Sequence, residues 1–89
     1  MEESLPLRRM FYAYILKSLK DNTYYYGSTS NTLSRLKAHN SGRVKYTKGR
    51  RPWQLHYFEE FATRAEAMKR EKFFKSIDGY IWLKKRNII

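Results

Sequence analysis

Apolar and polar positions recur along this chain with two different periods, and the switches between them divide it into strands and helices. From Phe11 to Lys17 the run FYAYILK consists of strand formers. Alternation puts Phe11, Ala13 and Ile15 on one face and Tyr12, Tyr14 and Leu16 on the other. Both faces are apolar or aromatic, so this strand is expected to be buried on both sides. Lys20, Asp21 and Asn22 lie in a polar break from Ser18 to Asn22 that reads as a turn. Thr23 to Gly27 then forms a second strand, and the pair an antiparallel hairpin.

The period changes after the hairpin. Asn31 caps a helix expected to run to about Ser41, with Gly42 just beyond as a stop signal. Leu33, Leu36 and the stem of Lys37 share its core-facing stripe, while Arg35 and His39, four apart, stack on one edge. Trp53 to Phe61 alternates loosely and reads as a third strand. Thr63 and Glu66 make a T-x-x-E capping box for a helix continuing to about Lys75. Its apolar positions Ala67, Met68 and Phe74 bracket Glu71 on the helical wheel. Gly79 interrupts, and a last short helix or turn carries Tyr80, Trp82 and Leu83. The order β-β-α-β-α-α describes a small α+β domain on an antiparallel sheet, residues 10–89, preceded by a loosely held arm over residues 1–9.

Composition narrows this picture. Eighty-nine residues hold one domain with a modest core. The 42% hydrophobic and 17% aromatic content argue against disorder despite 30% charged residues. The absence of cysteine excludes disulfides and cysteine-ligated zinc, and it is compatible with a reducing cytoplasm, where the protein is expected. No apolar run approaches the roughly 20 residues of a membrane helix. The opening MEESLPLRRM lacks the charged-then-apolar order of a signal peptide.

A formal net charge of +11 points to a polyanionic partner. An anionic membrane surface would require a basic amphipathic helix with a wide apolar face, and none is evident. Nucleic acid is therefore the expected partner. The charge is also segregated: Asn22 through Phe58 contain no acid and seven lysines or arginines. Lys37, Arg43, Lys45, Lys48, Arg50 and Arg51 are the candidate contacts, most of them in the basic loop RVKYTKGRRP.

Five residues can carry chemistry. A glutamate in an apolar helix stripe is costly to bury without a partner. Glu71 is thus either paired with Lys75 or a basic loop, or aimed into a basic cleft where it holds Mg²⁺, a hard cation needing few protein ligands. Arg35 and His39 are either surface residues of a basic helix or a pair that grips and polarises a phosphate. Tyr14 and Tyr25 either fill the core or act on a proton. The second role needs a phenol pKa pulled well below about 10 by nearby cations or a metal. Gly27 suits a close backbone approach at the strand end. No cysteine, Gly-x-Ser-x-Gly elbow, phosphate-cradling glycine loop or carboxylate cluster is present. The phosphoryl chemistry that remains is attack by water, assisted by one metal, an arginine and a basic tyrosine.

Taken in order, these residues resemble the GIY-YIG endonuclease superfamily, particularly small stand-alone proteins similar to the catalytic domain of the bacterial excinuclease. Tyr12-Ala13-Tyr14 stands where the GIY motif lies and Tyr25-Tyr26-Gly27 where the YIG motif lies. Arg35, His39 and Glu71, the last within REKFF, fall at the spacing of the family's arginine, its frequent companion and its metal-binding glutamate. Tyr12 and Ala13 replace the first motif's glycine and isoleucine, and Tyr26 is the middle of the second. The asparagine some members use after the last helix has no clear counterpart, with Ile81 in GYIW and only Asn87 nearby.

The resemblance implies a three-stranded antiparallel sheet with flanking helices and Mg²⁺- or Mn²⁺-dependent cleavage of phosphodiesters in nucleic acid, DNA foremost. Glu71 would hold the metal and Arg35 stabilise the pentacovalent phosphate. Tyr14 or Tyr25, with Tyr25 preferred, would help activate water, and His39 orient the tyrosine or the phosphate. The loop from Lys45 to Arg51 would track the backbone. Relatives carry a separate substrate-selecting domain, so the resemblance implies that here either a protein partner supplies specificity or specificity is slight. The rival expectation is a binding module that keeps the fold without turnover and holds nucleic acid through phosphates and stacking.

Overall fold

The structure, a computed structural model, describes residues 9–89, so nearly all of the arm expected over residues 1–9 lies outside the described residues. Strand formers with apolar residues on both faces place β1 (Phe11–Ser18) in the middle of a three-stranded antiparallel sheet. It is flanked by β2 (Tyr24–Thr29) and β3 (Trp53–Phe61), in the order β2-β1-β3. Tyr14 pairs with Gly27 on one side and Phe58 on the other. A bulge between Ile15 and Leu16 shifts the register against β3. Three helices, α1 (Thr32–Asn40), α2 (Arg64–Phe74) and α3 (Ile77–Lys85), complete the expected α+β order.

The two faces of β1 make two cores. Ala13 and Ile15 meet Phe74 of α2 and Leu83 of α3. Tyr14 and Leu16 meet Trp53, with Leu36 of α1 and Tyr25 packed beside them. Each large side chain so buried contributes about 1.5–3 kcal/mol, which is how so short a chain supports two layers of helices.

The caps form as the sequence suggests. Asn31 accepts from the Ser34 amide, Gly42 takes φ +83°, and Thr63 and Glu66 close a reciprocal capping box. Other expectations are corrected. β2 runs two residues past Gly27, to Thr29. Leu33 is 72% exposed and Lys37 points to solvent. The inward row of α1 is instead Thr32, Arg35, Leu36 and His39, and hydrogen bonds to the sheet and the basic loop fix Arg35 and His39 there.

Met68 is likewise 52% exposed, and α2 turns Ala67, Arg70, Glu71 and Phe74 inward. Arg70 tolerates this because its Nε lies 2.8 Å from Glu59 and its guanidinium 4.5 Å from the Trp82 ring. Gly79 does not interrupt. It lies in the first turn of α3, where Ser76 accepts from its amide. No helix among the described residues is long and apolar enough to cross a membrane.

Candidate active site

The Tyr14 hydroxyl is the meeting point of the polar residues on the α1 side of the sheet. Its position depends on Gly27, the residue paired with it across the hairpin. A Cβ at Gly27 would lie 2.5 Å from both Cζ and the hydroxyl oxygen of Tyr14. The bare backbone of β2 thus leaves room for the Tyr14 ring. The close approach expected of Gly27 occurs within the strand rather than at its end.

α1 delivers two partners to that hydroxyl. The Arg35 Nε donates to it at 3.4 Å, and His39 Nε2 lies 3.1 Å away. His39 is fully buried, with Nδ1 2.8 Å from the Thr47 hydroxyl. Thr47 donates to the Val44 carbonyl at 3.3 Å, which leaves a lone pair to accept the Nδ1 proton. In that arrangement Nε2 is bare and the Tyr14 hydroxyl donates to it. Burial, helped by the charge of Arg35, holds the His39 imidazole down at about 4, so it is neutral at pH 7.

The same burial pushes the Tyr14 phenol up to about 12, with the charges of Tyr25 and Glu71 acting in the same direction and Arg35 in the opposite one. The lowering that a proton-accepting role needs is therefore not what the surroundings of Tyr14 supply. One arginine does not offset removal from water. With the two groups displaced in opposite directions, the proton stays on Tyr14. Arg35, in turn, is held more firmly protonated, first by its hydrogen bond to Tyr14 and further by the Tyr25 phenol.

Tyr25 stands beside this group. Its ring centroid is 6.4 Å from that of Tyr14 and 4.8 Å from that of His39. Glu71 belongs to the opposite layer, yet its charge reaches the Tyr14 phenol. It pairs with a lysine, Oε2 lying 2.7 Å from Lys75 Nζ, which is the first of the two alternatives its position allowed. Such a partly exposed i,i+4 pair contributes only about 0.3–0.5 kcal/mol and yields readily to a more highly charged ion. No group of three or more histidines or acids among the described residues could hold a metal. A single carboxylate whose charge reaches Tyr14 fits a cation that retains its waters, as Mg²⁺ does, and not a fully ligated zinc.

The basic residues separate into groups. Arg43 lines a polar groove with Arg35, Ser34 and Thr29. Lys37 lies on the other flank of α1 beside Leu33 and Asn40, away from Tyr14. Lys48 and Arg51 line a hollow together with Lys20, and Lys45 is exposed. Arg50 pairs with Asp21 at 3.3 Å. The loop is fastened to the hairpin turn: Ser18 donates to the Arg50 carbonyl, Lys20 to that of Gly49, and the Leu19 amide to that of Pro52. Thr47 and Lys20 escape the sequence reading. Only the fold brings a turn residue and a loop threonine to these positions.

The buried imidazole carries a pH signature. The folded value of about 4 lies below the ordinary 6.5, so the unfolded chain binds a proton in that window and the folded chain does not. This contribution to stability is complete above about 6.5 and lost as pH falls toward 4, amounting to about 2–3 kcal/mol. Urea unfolding at pH 7 and pH 4.5 should show the loss in the parent, and His39→Gln should shrink it. An equal loss in both would remove His39 as its source.

Known proteins share this sequence over most of its length. The profile of the GIY-YIG catalytic domain matches residues 10–87. The UPF0213 protein of Pediococcus pentosaceus is 49% identical over 72 residues, 80% of this chain and 75% of its own. A UPF0213 protein of Listeria monocytogenes is 51% identical over 65 residues, 72% of this chain and 71% of its own. The solution NMR structure of a UPF0213 protein from Bacillus halodurans is 37% identical, with a TM-score of 0.49, covering 85% of this chain and 83% of that one. By the span of the domain match, which takes in most of the chain, the chain belongs to the GIY-YIG family.

Proposed function

We propose that this protein is a divalent-metal-dependent endonuclease that hydrolyses phosphodiester bonds in nucleic acid, with DNA the favoured polymer. The observation that carries the reading is the Tyr14 hydroxyl. Arg35 and His39 converge on it at 3.4 and 3.1 Å, Tyr25 stands beside it, and the charge of Glu71 acts on it. A packing tyrosine requires one partner for its hydroxyl, not this convergence.

Each side chain has a task. The Arg35 guanidinium binds a phosphate oxygen and offsets the charge that grows on it as the bond to water forms. Tyr14 keeps its proton, and by donating to His39 and accepting from Arg35 it fixes the guanidinium. Tyr25, facing the same guanidinium, is the tyrosine left to act on the attacking water: as phenolate it would accept the water proton and become the neutral phenol. Glu71 would hold Mg²⁺ or Mn²⁺, and the ion would supply Lewis-acid chemistry, polarising the phosphate and making water easier to deprotonate. Residues 10–89 act as one catalytic domain, with specificity supplied by a partner, and the cysteine-free chain suits the cytoplasm.

Labelled linear, flapped and branched DNA, incubated with the protein in Mg²⁺ and in EDTA, tests the reading. Cleavage should require the metal and vanish in Glu71→Gln. Binding without cleavage on every substrate, or cleavage that ignores both EDTA and Glu71→Gln, would replace the enzyme with a binding module.

A further inference from the structure

Tyr46 stands at the mouth of the site, in the basic loop between Lys45 and Lys48. It is 83% exposed, more than any other large hydrophobic side chain among the described residues. Exposure of that degree removes little apolar surface from water, so the ring adds little to folding. Its position is nonetheless defined. Its centroid lies 6.3 Å from that of Tyr25 at an interplanar angle of 52°, and Tyr25 is itself 6.3 Å from the buried Trp53. The loop backbone is held at the same point, since Thr47 contacts His39 through its hydroxyl and the Trp53 indole through its carbonyl. A flat, solvated ring is thus presented next to the phenol assigned to the attacking water, among cations that attract phosphates.

We infer that Tyr46 stacks on an unpaired base adjacent to the phosphate bound by Arg35, so that the preferred substrate is single-stranded or locally unpaired nucleic acid. Bases inside a duplex present their faces to one another, and a side chain outside the helix cannot stack on them. A splayed or single-stranded base offers its face to an aromatic ring whatever its identity. The charge-bearing neighbours supply the sequence-independent attraction to the backbone. Selectivity for unpaired nucleotides then lies in Tyr46, not in the charge.

This inference rests on the site being a nucleic-acid site, and a binding measurement without metal separates the two. Oligonucleotides carrying 2-aminopurine, single-stranded and in duplex, are titrated with parent, Tyr46→Phe and Tyr46→Ala in EDTA. The parent and Tyr46→Phe should quench the single-stranded probe and bind it more tightly than the duplex. Tyr46→Ala should lose the quenching and roughly tenfold in single-strand affinity, with little change toward the duplex. Equal losses on both probes, or a Tyr46→Ala that retains quenching and the parental preference, would overturn the stacking role. Failure of the parent to bind either probe would instead remove the nucleic-acid reading beneath it.

Discussion

Arg35→Lys should cut DNA about 10²–10³ times more slowly than the parent while remaining folded. The substitution keeps the positive charge, so long-range attraction of nucleic acid persists. What it loses is the planar fork. Arginine can bind two oxygens of one phosphate while its Nε holds the Tyr14 hydroxyl, and the point charge of lysine cannot do both. Losing one preorganised donor at developing negative charge costs rates of this size. Arg35 is half-buried on the inward row of α1, with Leu36 holding the apolar contact of that helix, so folding should be little affected. Single-turnover cleavage measured beside a thermal melt checks this. A variant that cuts within fivefold of the parent at unchanged melting temperature would take Arg35 out of the chemistry.

The second large effect is on folding and lies far from the phosphate. Gly79→Ala would set a methyl group in the space of the Phe73 carbonyl, within reach of the Phe74 Cα as well. Those atoms are backbone, at the α2–α3 junction, so no side-chain rotation relieves the clash. Either the first turn of α3 opens, losing the Ser76 cap, or α3 lifts and takes Leu83 from between Ala13, Ile15 and Phe74. Either route costs about 3 kcal/mol or more. For a chain of this size that is a fall in melting temperature of roughly 12–24 °C. Helical propensity alone argues the reverse, since alanine is the better helix former by about 1 kcal/mol. A melting temperature equal to or above the parent's would show that α3 sits farther from α2 than described.

The elements were readable where local physics decides them. β1 declared itself by two apolar faces, α2 by its capping box, and β3 falls on the residues that alternation assigned it, Trp53–Phe61. At α1 and α2 the apolar stripe and the buried face do not coincide, and for one reason. Seeking the apolar stripe put Leu33 and Met68 inside, whereas the true inward rows include Arg35 and His39, or Arg70 and Glu71. Hydrophobic periodicity fails where side chains turn inward to meet polar partners rather than to leave water. The motif spacing singled out Tyr14, Tyr25, Arg35, His39 and Glu71, and the fold brings them into one electrostatic neighbourhood. It could not reveal that burial would raise the Tyr14 phenol, nor that Thr47 would set the histidine tautomer. Both depend on what surrounds an atom in three dimensions, which spacing along a chain does not record.

The attachment of the basic loop to the hairpin turn bears on what binding costs in conformational entropy. Loops that carry binding cations are usually ordered by their ligand, and the immobilisation of each long side chain and its backbone is subtracted from affinity. Here Ser18, Leu19 and Lys20 hold the carbonyls of Arg50, Pro52 and Gly49, and Asp21 restrains the Arg50 side chain. Much of that ordering is therefore complete when the chain folds. A small protein whose surface contacts are few can then hold a flexible polyanion with modest attraction, because most of the freedom lost on association belongs to the nucleic acid.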